Sequence, residues 1–516
     1  MLKTFAFMIN YTSQNQLSLE LFKHPIEQEL DKTNRWVKLA AVIPWDELAN
    51  VYSQKLDGGS GRKSVDIRMV IGALIVKHKL RLDDRGTVQM ISENLYIQYF
   101  CGMKEFSTKP PFDPSLFVDI RKRLGGEEFD RFNCILIEKS ENIKPHQSRI
   151  QTKSTSKEDE NGEDNIEPKN KGTLKIDATV ADQEIKFPTD LNLLNEGREN
   201  LERIIDLLYI PEQDGVKPRT YRRKARKEFL LTTKKRRKSG KEIRRGIKGQ
   251  LQYIGRDLKI IDVLLSKPGR DTILGKRDKN ILETIRQMYD QQKWMYENRT
   301  HSHPNRIVNI YQPWVRPIVR GKDKNKVEFG SKIDLTEVEG FSRINHFSWE
   351  SFNEGKDLVS SVENFRKLYG RYPKYILIDK IYLTRENRKY LKEKNIETFG
   401  KPLGRPPKQT KQSPSQKYRK KKKAAERNHV EAKFGQGKRS YGMNNIKARL
   451  AETSESMVNS IVFVMNLMKL LQIAEKYKYF SNAFLALIKS WIIKLKNNFI
   501  SNYCLTSPKY LTDIVH

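Results

Sequence analysis

Three carboxylates stand out by type and position. Asp177 lies in the alternating apolar run Leu174 to Val180, Asp379 directly follows Tyr375 to Ile378, and Glu431 lies within the helical stretch Ala424 to Phe434. An acid at the edge of a buried strand is costly to ionise unless a cation or a donor compensates it. Capping the next helix is the plainer role for any one strand-end aspartate, and a metal is the other compensation. As a set of hard oxygen ligands, the three suit Mg²⁺ or Mn²⁺, which bind through carboxylates and substrate phosphates. Two such ions about 3.5 to 4 Å apart can activate a water or a 3′-hydroxyl and stabilise the leaving oxygen of an in-line displacement. Phosphodiester hydrolysis and strand transfer share that geometry.

The charge balance points to the same substrate. Among 516 residues, 98 Lys+Arg against 63 Asp+Glu leave +35, a surplus that self-repels unless a polyanion neutralises it. Two internal windows hold 24 of those charges: Lys217 to Lys248 is net +14, and Lys401 to Lys423 has ten cations and no acid. Basic blocks flanked by structured segments fit a nucleic-acid footprint better than a solvated tail. Three scattered cysteines, Cys101, Cys134 and Cys504, make no disulfide framework and suit a reducing cytosol. No signal peptide is read at the N-terminus, and Ile461 to Met465 and Phe484 to Ile493 are read as packed helices, not membrane spans.

The elements that must position these residues follow from periodicity. Helical spacing from Ser64 to Leu80, with Ser64 as cap, is followed by a helix from Asp83 or Asp84 through Val88, Ile91, Leu95 and Tyr96. A third helix, capped by Asp113 with Pro114 first, ends in Arg121, Lys122 and Arg123. The three resemble a helix-turn-helix module, with a plain helical subdomain as the alternative. Residues 141–172 read as a linker, polar and almost without apolar side chains. A strand with Asp177 follows, then an all-helical basic segment over about 196–303. Strands are expected at Arg306 to Val319, Val327 to Thr336 and Phe341 to Trp349 as a β-meander. A helix, the buried strand into Asp379, a short helix, the irregular second basic block with Gly404, Pro406 and Pro407, and closing helices complete the order.

Four segments carry a family resemblance. RNHVEAKFGQGKRSYGMNNIKARLAETSESMVNSIVFVM, from Arg427 to Met465, resembles the closing segment of DDE-type transposases of bacterial insertion sequences, in the insertion-sequence-five-like group. IDKIYLTRENRKYLKEKNIETFGKPLGRPPK from Ile378 is similar to the segment around that family's second aspartate, and KIDATVADQEIKFPTDLNLLN from Lys175 to the segment around its first. ISENLYIQYFCGM from Ile91 and PFDPSLFVDIRKRLG from Pro111 are similar to its N-terminal helical domain. The resemblance covers 64 to 472 in segments, in the family's order.

It implies an α/β protein: a helical N-terminal DNA-binding and dimerisation domain (1–140), an RNase H-like catalytic core (173–452) interrupted by the helical insertion, and C-terminal helices (453–516). It further implies that Asp177, Asp379 and Glu431 bind two Mg²⁺ ions, with Mn²⁺ as substitute, and that Arg427 and Lys438 contact DNA phosphate. Arg427 and Glu431 share a helix face at this spacing, whereas Gly435 and Gly437 interrupt the path to Lys438. The signature's tyrosine is Ala424 here, and its glycine after the second aspartate is Ile381, although Tyr382 remains. The expected partners are double-stranded DNA, as terminal inverted repeats and target, and further copies of the chain in a homodimer or larger synaptic complex. The expected location is the bacterial cytoplasm, at the nucleoid, with no membrane. Further DNA contacts are expected from Arg121, Arg123, Arg222, Arg223, Lys234, Lys235, Arg236, Arg237, Lys420 and Lys421.

The leading reading is Mg²⁺-dependent cleavage and strand transfer in cut-and-paste transposition. The alternatives are a decayed or domesticated transposase acting as a repressor or architectural protein, and an RNase H-like repair nuclease. His301 and His303 form an HxH pair without a third ligand, which favours a loop role. The stripe Phe484, Leu487, Ile488, Trp491 and Ile492 reads as core or dimer face.

Overall fold

The computed structural model describes residues 11, 30–56, 63–144, 169–319, 327–399 and 413–503, with Gln416, Lys417, Lys420 and the helix beyond Tyr477 described by backbone only. The chain begins with seven helices: α1 (Arg35–Val42), α2 (Trp45–Ser53), α3 (Ile67–Leu80), α4 (Asp84–Glu93), α5 (Leu95–Phe100), α6 (Leu116–Arg123) and α7 (Gly126–Ile143). Local chemistry sets their ends. The Asp66 carboxylate accepts the Arg68 and Met69 amides, so α3 is capped by Asp66 rather than Ser64. Lys77 and Lys79 stand in its last turn, where cations suit the helix dipole. The expected second helix is two, because the Asn94 side chain accepts the Ile97 amide and starts α5 afresh. Helix α6 begins at Leu116, one turn after Asp113, whose carboxylate accepts the Ser115 amide. Helix α7 carries regular structure into the segment read as linker; residues 145–168 lie outside the described residues.

One sheet follows. Strand β1 (Thr173–Asp182) pairs antiparallel with β3 (Val327–Val338) and parallel with β5 (Tyr375–Leu377), which pairs parallel with β6 (Glu397–Thr398). Strands β2 (Arg316–Val319) and β4 (Phe341–Ser348) both pair antiparallel with β3, along its successive stretches 327–330 and 332–338, while β1 takes its other edge, so the expected meander does not form as three strands side by side. The β1–β3 contact is close: a Cβ on Gly330 would stand 2.0 Å from the Ala181 carbonyl oxygen, so only glycine fits. Only Arg316–Val319 of the expected strand Arg306 to Val319 forms. Ile307 and Ile310 instead bury in the core of the insertion, and Pro313 precedes the strand.

Between β1 and β2 the insertion is helical: α8 (Asp190–Leu208), α9 (Pro211–Asp214), α10 (Arg222–Thr233), α11 (Gly240–Leu265) and α12 (Lys276–Glu297). Its apolar stripes, including Leu201, Ile205, Ile254, Ile261 and Ile285, close on one another as a core of their own. Helices α13 (Leu358–Tyr369) and α14 (Arg385–Glu393) flank β5. The last two are α15 (Pro414–Tyr441) and α16 (Ala451–Tyr503). The second basic block is therefore helical from Pro414 on; Gly404, Pro406 and Pro407 lie outside the described residues.

Helix α16 ties the two ends of the chain together. Phe463 meets the rings of Phe129 and Phe132 at 6.0 and 5.2 Å between centroids, and one cluster of buried side chains joins α1–α7, β3, β4, α15 and α16. Its part Ala451–Tyr477 is long and apolar enough to cross a membrane, yet 72% of its apolar window is buried inside the protein, as in a core helix. The stripe Phe484 to Ile492 lies outside the described side chains.

Candidate active site

The sheet register brings two of the three acids together. Lys175 is level with Leu377 across the parallel β1–β5 pair. Two residues further along come Asp177, still on β1, and Asp379, just past the end of β5 at Leu377, and along an extended chain side chains two apart share a face. Leu174, Ile176, Ile376 and Ile378 pack into the core under α13, which leaves the opposite face to α15.

Helix α15 is seated by Val430 and Phe434, both buried, and at its start by Arg419, which donates to the Tyr375 hydroxyl (2.6 Å) and the Glu397 carboxylate (3.0 Å). This holds Arg427 over the acids. Its guanidinium lies 3.1 Å from Glu431 and 3.9 Å from Asp379. The helix runs unbroken through Gly435 and Gly437. Seven residues is 20° short of two turns, so Lys438 stays on the face of Glu431. There it meets Asp182 at the end of β1 (3.5 Å) and Glu328 of β3 (3.9 Å). Both family-implied phosphate contacts are thus paired with acids in this structure.

The acids crowd one another. Burial above all, with the charges of Glu354 and Glu431, pushes the Asp177 carboxyl up to about 6, against the Ala178 amide and Arg427, which favour its ionised form. Glu354 is a fourth acid of the site that sequence reasoning missed. It stands in the turn Glu354–Asp357 and pairs with Lys332 of β3 at 2.8 Å. Asp334 was missed as well: fully buried on β3, it accepts the Tyr382 hydroxyl at 2.5 Å. Only its place in the alternation of β3 could have flagged it.

Among the described residues no group of three His, Cys, Asp or Glu stands close enough to hold a metal ion as it is. The donor chemistry nevertheless fits a hard divalent cation. Asp177, Asp379 and Glu431 offer oxygens only; Asp177 is strained by neighbouring negative charge, and a guanidinium lies between the other two.

The expected DNA-contacting residues divide. Arg121 is a correction: it is buried and held by both oxygens of Asp84 at 2.8 Å, with Lys77 on the same carboxylate at 2.8 Å. Its guanidinium joins α6 to α4 and does not face outward. Arg123 is half-buried and donates to Tyr52 at 3.4 Å. Arg222 is exposed but bidentate to Asp206 at 2.9 and 2.8 Å, and Lys235 pairs with the capping Glu242. Arg223, Lys234, Arg236, Arg237 and Lys421 are exposed, with no ion-pair partner among the described residues. The Lys420 side chain lies outside them. His301 and His303 occupy the loop after α12, with Trp294 packed on the His303 ring.

Arg121→Ala will therefore act on stability. Breaking a buried pair costs about 3 to 5 kcal/mol, and the low end applies because Asp84 keeps 29% of its side chain exposed. Denaturant titration should show that loss, with DNA affinity of the folded protein unchanged; the reverse pattern would restore Arg121 as a DNA contact.

Comparison with known proteins falls on both ends of this arrangement. Residues 376–468 match a family described as a transposase DDE domain, and residues 24–123 a family described as a transposase domain. The chain thus carries a transposase DDE domain and a second transposase domain. The first match contains Asp379, Arg427, Glu431 and Lys438; Asp177 lies outside both. An uncharacterized protein of Rhizobium meliloti, ORF8 of the nfe locus, is 26% identical over 187 residues, spanning 36% of this chain and 79% of that protein. No solved structure matches the chain.

Proposed function

We propose that this chain is a transposase of the insertion-sequence-five-like group, which cuts DNA at the terminal inverted repeats of its element and joins the ends to target DNA by phosphoryl transfer. The observation that carries the reading is Arg427 of α15 bridging from Asp379, just past the end of β5, to Glu431, with Asp177 of the neighbouring parallel strand β1 feeling the charges of both Arg427 and Glu431. The strand order β2-β3-β1-β5-β6, with β4 also on β3 and β1 central, supports an RNase H-like core. Asp177, Asp379 and Glu431 would hold two Mg²⁺ or Mn²⁺ ions, which supply activation of the attacking oxygen and stabilisation of the leaving one.

The chain's own groups do the positioning. Arg427 and Lys438, about three helical turns apart on one face of α15, can each take a DNA phosphate once a strand displaces their acidic partners. The exposed cations around the α10–α11 turn supply a second, sequence-independent hold on the duplex. Synapsis of two element ends calls for a homodimer or larger assembly, working in the cytoplasm.

Purified protein incubated with terminal-repeat DNA and Mg²⁺ or Mn²⁺ should nick the element ends and join them to a second duplex. Tight end binding with no nick under either ion would mark a decayed transposase acting as repressor or architectural protein. Cleavage of branched DNA with no joining would mark a repair nuclease.

A further inference from the structure

Asp379 is carried by very little regular structure. Strand β5 ends at Leu377, and the aspartate stands at the mouth of the short turn Lys380–Tyr382, its carboxylate accepting the Lys380 amide at 2.7 Å. Ile381, where the family has glycine, points outward and is 52% exposed, so it does not anchor the turn. Tyr382 does: its ring is fully buried, its amide donates to the Asp379 carbonyl at 3.2 Å, and its hydroxyl donates to Asp334 at 2.5 Å.

Asp334 is fixed in turn. It lies on β3 level with Ala178 of β1, one residue from the level of Asp177. Its other oxygen is 3.4 Å from the Asn345 amide and 3.5 Å from the Ser361 hydroxyl. Asn387 of α14 closes the frame, donating to the carbonyls of Tyr382 (2.7 Å) and Gly355 (2.6 Å). A Cβ on Gly355 would lie 3.1 Å from the Ile381 carbonyl, so the turn bearing Glu354 presses directly against the turn bearing Asp379. Burial chiefly, with Asp357 and Glu354 adding negative charge, pushes the Asp334 carboxyl up to about 7. A buried acid without a paired cation is a costly group to retain for packing alone.

We infer that Asp334 is a positioning residue, which holds Asp379 in place by anchoring the turn after it through the Tyr382 hydroxyl. The inference rests on the proposed function, since it assigns a role toward Asp379. What the frame needs from Asp334 is an acceptor oxygen, not a charge.

The test compares Asp334→Asn, Tyr382→Phe and the double variant Asp334→Leu/Tyr382→Phe. Asparagine retains a carbonyl acceptor for the tyrosine, and the double variant removes both partners, so that neither stays buried and unpaired. Displacement of a catalytic group by about 1 Å can cost about 100-fold. Tyr382→Phe and the double variant are therefore expected to lower kcat on terminal-repeat DNA about 10- to 100-fold with KM for DNA unchanged. Mn²⁺ affinity, read from the electron paramagnetic resonance of the free ion, should weaken alongside, while Asp334→Asn stays close to wild type in both. A folded double variant with wild-type kcat and Mn²⁺ affinity overturns the inference. So does an Asp334→Asn as impaired as the double variant, because charge rather than acceptance would then matter. Asp379→Ala in the same assay separates the two levels: if it still cleaves, the proposed function fails, whereas its inactivity beside an unaffected double variant removes only the role of Asp334.

Discussion

Replacing Asp177, Asp379 or Glu431 singly with alanine is expected to abolish cleavage of terminal-repeat DNA while leaving its binding intact. The geometry makes the three non-redundant. Asp177 lies on β1 and Asp379 just past the end of the neighbouring β5, and Arg427 of α15 joins Asp379 to Glu431. Loss of one preorganised group that stabilises developing charge typically costs about 100- to 1,000-fold in rate, and loss of a metal-holding carboxylate is expected to be at least as severe. DNA affinity survives because the exposed cations of the insertion lie on other elements. Full cleavage by any one of the three variants would sink the assignment.

Substitution at Asp177 also has a stability signature. The Asp177 carboxyl is raised from 3.8 to about 6 in the folded protein, burial being the largest cause. A raised acid makes the folded state bind more protons than the unfolded one between those values, so stability falls as pH rises from about 4 to about 6. Asp177→Asn lacks that loss. Without divalent ions it should melt above wild type at pH 7 and level with it at pH 4. A melting temperature below wild type at pH 7 would mean that the carboxylate is compensated by groups other than those described.

The second large effect is expected from the turn between α10 and α11. Glutamine at Lys234, Arg236, Arg237 and Lys238 together should weaken binding to all DNA sequences alike and flatten the dependence of log K on log salt. Each neutralised phosphate contributes about 0.9 to that slope on duplex DNA, so a loss of about two to four is expected. The turn can act as a unit because both flanking helices are held. Gln250 of α11 donates to the Ala225 carbonyl of α10 at 3.2 Å, Tyr253 to Glu228 at 3.0 Å, and Ser239 with Glu242 forms a capping box at the start of α11. Lys235 is left out of the variant because its partner is Glu242. An unchanged slope would place this turn in solvent and move the contact to other cations, Lys421 among them.

The differences between sequence and structure have one physical origin. Local interactions carry their own signature: Asp83, Asn94, Ser239 and Thr384 each accept an amide within three residues, so helix starts are legible to within a turn. Alternation and burial mark β1 and β5 and therefore Asp177 and Asp379, and charge counting finds both basic blocks. Arg121 shows the limit. It closes a basic cluster at a helix end and reads as a DNA contact until Asp84, 37 residues away, is seen holding it.

By itself, then, the sequence determined most of the element order and singled out the two basic blocks and the three acids as candidates. Only the tertiary structure decided the parallel pairing of β1 with the strand that leads into Asp379, the merging of the first seven helices with α16 into one core, and the convergence of Asp334, Tyr382, Glu354 and Asn387 around the turn after Asp379. Those partners lie far apart along the chain, and no local propensity encodes which of them meet; that choice belongs to the packing of the whole fold.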